Sequence, residues 1–125
     1  MTVGYCGMGT QFTVDPSQKL VYVTFDDQTT VAEFLGYPSR VRSHPDFDPS
    51  FSEIIDCSRV TGNNFSVDAI RELARCESVF SPTSMHVIIA PKDHVYGLAR
   101  MGQVYGDQTK PNTVVVRLLL PSPSA

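Results

Sequence analysis

A chain of 125 residues is the size of a single domain, and folding at that size buries about two-thirds of the surface, enough for a core without staples. A hydrophobic share of 42% excludes a disordered chain, and a charged share of 18% leaves much of the surface to Ser, Thr, Asn, Gln, Gly and Pro. A net charge of -3, with no block of Lys or Arg, excludes a non-specific nucleic-acid binder.

Residues 1–9 are Gly-rich and are expected to form a flexible segment ahead of one domain over 10–120. Gln11–Val14, the turn residues Asp15-Pro16-Ser17-Gln18, and Lys19–Phe25 read as strand, turn and strand, an antiparallel hairpin. Thr30 and Glu33 have the spacing of a capping box, and Val31, Phe34 and Leu35 follow at helical spacing. Pro38 removes a helical donor and predicts a break there, with the helix resuming around Val41–His44. Pro45–Ser50 is a loop. Glu53–Cys57 has the apolar shape of a buried central strand, followed by a polar loop over Ser58–Asn64.

Ser66 is the expected N-cap of a second helix, with Val67, Ile70, Leu73 and Ala74 on one stripe. Met85–Ala90 is a further buried strand. Asp93 is placed to cap a helix over His94–Val104, whose inner face includes Gly102, a point of close packing on a sheet. Thr113–Leu120 is the last strand, and Pro-Ser-Pro-Ser-Ala over 121–125 is expected to be a flexible tail.

The order β, β, α, β, α, β, α, β predicts an α/β domain. It has a single mixed sheet, the hairpin then parallel strands, with helices packed on it. Functional loops gather at the carboxyl ends of parallel strands, here Ser58–Ser66 and Pro91–His94. No helix follows the last strand, so one sheet face is expected to lack cover. A homodimer is the expected remedy.

Cys6, Cys57 and Cys76 form no Cys-x-x-Cys pair, which fits a reducing compartment rather than a disulfide framework. The first residues lack the regions of a signal peptide. The apolar run over 114–120 is too short for a membrane and carries Arg117. The expectation is a cytoplasmic protein with neither membrane nor nucleic-acid partners.

Candidate chemistry is sparse. His44, His86 and His94 have no partners at metal-ligand spacing, and His86 reads as a core or interface histidine. Neither a phosphate loop nor a Gly-x-Ser-x-Gly elbow occurs. No metal or other cofactor is expected. Cys57 beside His94 would be the nucleophile pair of a small enzyme, but buried cysteines are mostly inert packing. The hydroxyl- and amide-rich stretch Ser58, Thr61, Asn63, Asn64 and Ser66 reads as turn and cap chemistry, or as a phosphoacceptor loop at a helix N-terminus.

Two stretches, Ile54-Ile-Asp-Cys-Ser-Arg-Val-Thr61 and Val87-Ile-Ile-Ala-Pro-Lys-Asp-His-Val-Tyr-Gly-Leu-Ala-Arg-Met101, together with His44-Pro-Asp-Phe-Asp-Pro49, resemble a subgroup of small bacterial STAS-like, SpoIIAA-like proteins. These are relatives of anti-sigma-factor antagonists. The resemblance covers residues 10–118. It implies a small α/β sandwich that regulates without catalysis by binding a protein partner, a kinase or anti-sigma-like regulator. In the antagonists an Asp-Ser-Ser-Gly segment carries the phosphorylated serine. Asn64, Phe65, Ser66 and Val67 stand there in this chain, and Ser66 matches the second serine.

The expected function is therefore a non-enzymatic interaction module. Ser66, Ser58 and Thr61 are its phosphoacceptor candidates, and Arg59, Asn63, Asn64, Phe65, Lys92, Asp93, His94 and Tyr96 are its binding residues. The alternative is a sensor or carrier for a small anion or apolar ligand, held in the cleft at the carboxyl ends of the parallel strands.

Overall fold

Strand pairing begins earlier than the sequence predicts. The computed structural model describes residues 9–61, 66–75, 78–106 and 110–117 in full, and the backbone of 2–7. Strand β1 (Thr2–Gly7) pairs antiparallel with β2 (Thr10–Asp15), a strand that the sequence reading does not place within 1–9. The ladder satisfies backbone groups along an edge of β2 that the hairpin alone leaves open. That gain outweighs the poor strand propensity of Gly4 and Gly7. Strand β3 (Leu20–Asp26) completes the expected hairpin with β2. The Asp15 carboxylate closes the turn, taking the Ser17 N–H at 3.0 Å and the Ser17 hydroxyl at 2.6 Å.

Helix α1 (Val31–Arg42) starts where expected, with Thr30 Oγ1 accepting the Glu33 N–H at 3.1 Å. Only half of the capping box forms, because the Glu33 carboxylate takes the Thr10 hydroxyl at 3.0 Å. The helix does not break at Pro38. An interior proline costs about 3 kcal/mol, but Phe34, Tyr37 and Val41 are buried along one stripe on both sides of it. Their packing holds the helix to the sheet across the missing bond.

Strand β4 (Ser52–Arg59) pairs parallel with β3 and with β5 (His86–Ile89), and β6 (Thr113–Val116) adds parallel to β5. Ser58 and Arg59 thus belong to a strand rather than to the predicted loop, because the ladder with β3 runs on to the Asp26–Arg59 pair. Strand β6 ends at Val116, Arg117 follows outside the strand, and 118–120 of the predicted span lie outside the described residues. Helices α2 (Val67–Arg75) and α3 (Asp93–Tyr105) fill the expected crossovers. Asp93 sits in the first turn of α3, not at its cap. Lys92 holds the cap position without a side-chain capping bond, while the Asp93 carboxylate engages Arg117.

The architecture is α/β with a single mixed sheet, the antiparallel hairpin end followed by parallel strands. The six strands stand side by side in chain order, β1-β2-β3-β4-β5-β6. Sequential parallel strands joined by crossovers of one hand put every crossover helix on the same face. All three helices accordingly line one cavity against the face that carries Glu53, Ile55, His86 and Ile88. The opposite face carries Tyr22, Ile54, Val87 and Val114. None of the described helices lies there. The core is the layer between helices and sheet, where Phe25 meets Phe34 and Tyr37 edge-on at 5.5 and 5.7 Å. Gly102 permits close packing against α2 rather than against the sheet: a Cβ there would stand 3.2 Å from Ile70 Cγ2.

Candidate functional site

The carboxyl ends of the parallel strands hold most of the residues singled out by sequence, but they are tied to one another. Asp27 accepts the Thr61 N–H at 2.8 Å and also the Thr61 hydroxyl. A phosphate on Thr61 would face that carboxylate. The Ser58 N–H goes to Asp56 Oδ1 at 2.9 Å, and the Ser58 carbonyl accepts Lys92 Nζ at 2.5 Å. Arg117 pairs with Asp93, donates to the Pro91 carbonyl at 3.1 Å and lies over the Tyr96 ring at 4.8 Å. Ser66 Oγ accepts the Ala69 N–H at 3.1 Å, so its hydroxyl caps α2 as expected. His94 is exposed, and Asn63, Asn64 and Phe65 lie outside the described residues.

Arg59 parts company with this group. It stands on the opposite face of the sheet, beside an open polar groove of about 640 Å³ lined by Gln11, Thr13, Tyr22, Thr24 and Asp56. There the Tyr22 hydroxyl donates to Asp56 Oδ2 at 2.5 Å. Burial and the neighbouring carboxylate push the Tyr22 phenol up to about 12, so it keeps its proton. Burial raises Asp56, but the hydrogen bonds from Tyr22 and Ser58 outweigh it and hold the carboxyl below its usual value.

A second cavity, under the helices, is the more enclosed and the more apolar. It measures about 120 Å³. Ile55, Cys57 and Ile88 form its floor, and Ile70 and Leu73 of α2 with Leu98 of α3 its roof. The walls are apolar because α2 and α3 each turn one stripe inward, as the periodicity of α2 announces. Cys57 is part of the floor. Burial, with the Asp56 charge, pushes its thiol up to about 12, so it carries no reactive thiolate.

One end of this cavity is ionisable. Glu53, His86, Lys110 and Thr113 line it there. Glu53 Oε2 accepts the Tyr37 hydroxyl at 2.6 Å, and Glu53 Oε1 meets His86 Nδ1 at 2.7 Å. The Phe80 ring stands edge-on to His86 at 5.0 Å. Burial alone would raise the Glu53 carboxyl. The His86 hydrogen bond, the Lys110 charge and the Tyr37 hydroxyl together bring it below its usual value. Glu53 is thus an anion, it can only accept, and His86 Nδ1 must be the donor.

Sequence reasoning missed this cluster. It took Glu53 as the start of an apolar run and recognised only His86 as a core histidine. The available signal was an acid on the same face of the strand as Ile55 and Cys57, and a histidine opening another apolar strand. Register decides the rest, since Glu53 pairs directly with His86. Among the described residues no His, Cys, Asp and Glu group has the form of a metal site, and no helix is long and apolar enough to cross a membrane. No known protein family, curated protein or solved structure matches the chain.

Proposed function

We propose that this protein is a non-enzymatic small-molecule binding module, a sensor or carrier, and that its site is the cavity beneath the helices. The observation that carries this reading is an apolar cavity whose lining includes the ionisable residues Glu53, His86 and Lys110. Ligand sites are typically apolar hollows with a few convergent polar groups. A non-enzymatic role fits the same residues. Both Glu53 oxygens are engaged, and Cys57 is held as a thiol. A free thiol at Cys57 also suits a cytoplasmic protein. The location differs from the cleft expected at the carboxyl ends, where Lys92 and Asp93 are committed to neighbours.

The test is a thermal-shift and native mass-spectrometry screen with small aromatic and branched compounds. We expect hits that raise Tm and are lost in Ala99→Leu, which fills the cavity. Hits that survive Ala99→Leu, or a screen with none, would remove this reading.

One observation favours a second reading, the STAS-like docking module. Val114, 44% exposed, lies on the sheet face that none of the described helices covers. A second copy of the chain would cover that face. Light scattering decides it: a dimer dissociated by Val114→Lys supports docking, and a monomer at high concentration removes it.

A further inference from the structure

We infer that the ligand of this cavity is a small monocarboxylic acid whose apolar body has the size of a single ring. The inference rests on the cavity reading above and deepens it. Size comes first. A cavity of about 120 Å³ falls just short of the roughly 150 Å³ hollow that accepts benzene. A long acyl chain does not fit, and a single ring or a branched chain of similar bulk is the upper limit, reached with a small outward shift of the walls.

Charge sets the class. An amine would have to share the Glu53 oxygens with the Tyr37 hydroxyl and His86 Nδ1, which already donate to them. The Lys110 charge opposes an amine, while the Glu53 charge at the same end is already taken up by Tyr37, His86 and Lys110. A neutral ligand would strip water from Lys110 without replacing it. Lys110 lines the cavity and makes no ion pair with any described residue. A carboxylate at that end gives the ammonium a partner; the Thr113 hydroxyl is already spent on the Lys110 carbonyl at 2.8 Å, which ties Lys110 to the cavity wall. The apolar body then lies between Ile55 and Ile88 below and Leu73 and Leu98 above.

Calorimetry on the full chain tests this with three probes of one shape: benzoate, benzyl alcohol and benzylamine. Benzoate is expected to bind tightest. Lys110→Met should weaken it roughly tenfold or more, the scale of a lost charge-assisted bond. The same variant should leave benzyl alcohol unchanged, and Lys110→Arg should retain benzoate. Lys110→Gln replaces the Met variant if circular dichroism shows that the latter does not fold. Benzyl alcohol or benzylamine binding as tightly as benzoate, or benzoate indifferent to loss of the Lys110 charge, overturns the acid and leaves the cavity reading standing. No binding by any of the three overturns both.

Discussion

Glu53 and His86 are direct neighbours across two parallel strands, and their side chains meet at 2.7 Å with only 2% of each exposed. A charge so deep is tolerated only while its partners stay. His86→Ala leaves the Glu53 carboxylate short of a donor and should cost about 3–5 kcal/mol. Tyr37→Phe removes one hydrogen bond and should cost about 1–3 kcal/mol. Urea unfolding of both variants measures the difference, and equal losses would show that the two donors are equivalent.

Acid should expose the same cluster. The Glu53 carboxyl lies below its usual 4.5 in the folded protein, so the unfolded chain binds the extra proton first. The contribution of this group is complete above the usual value. It is lost as pH falls through the depressed folded value. Unfolding free energies across the acid range should therefore fall more gently for Glu53→Gln than for the parent. Parallel curves would assign the acid limb to other carboxylates, of which Asp56 is the first candidate.

Cys57 should be slow towards thiol reagents. A rise from 9.0 to about 12 lowers its thiolate fraction a thousandfold. In a variant with Cys6 and Cys76 replaced by Ser, alkylation of the native protein near pH 8 should run about a thousandfold below the rate in urea. A native rate near the denatured one would place Cys57 in solvent.

Two glycines should respond in opposite senses. Gly97 lies on the exposed side of α3 with open space where a Cβ would go, so Gly97→Ala should stabilise by about 0.5–1 kcal/mol. Gly9 has φ +88 and would set a Cβ 2.6 Å from the Thr29 nitrogen. Gly9→Ala should destabilise by about 1–3 kcal/mol. Thermal melts of the pair are enough to decide, and a shift of the same sign in both would contradict this account.

Removing the α2 cap should cost little more than the cap. Ser66→Ala loses the bond to the Ala69 N–H and should destabilise by about 0.5–2 kcal/mol, with Ser66→Asp recovering most of it. A larger loss on chemical denaturation would mean that the hydroxyl has partners beyond the helix.

The hairpin, the three helices and the alternation of strands are legible in the chain because they rest on local periodicity and turn chemistry. Strand β1 is not, since its glycines mask a ladder that β2 completes. Nor is the passage of α1 through Pro38, which depends on Tyr37 and Val41 finding the core. The cavity cluster is the least legible part. Glu53, His86 and Tyr37 come from three elements, and only register and packing bring them together. Even Arg59, next to Ser58 in sequence, goes to the other face, because the β3–β4 register shifts between Asp56 and Arg59 and sets Arg59 opposite Asp26.

Chain-order pairing of the strands has a consequence for how the molecule is made. Each strand is a neighbour of the one translated just before it, so no late strand has to insert between earlier ones. Lys110 and Thr113 are the last of the cavity residues to be translated. The walls of the hollow are thus made before the end that would hold a ligand's charged group.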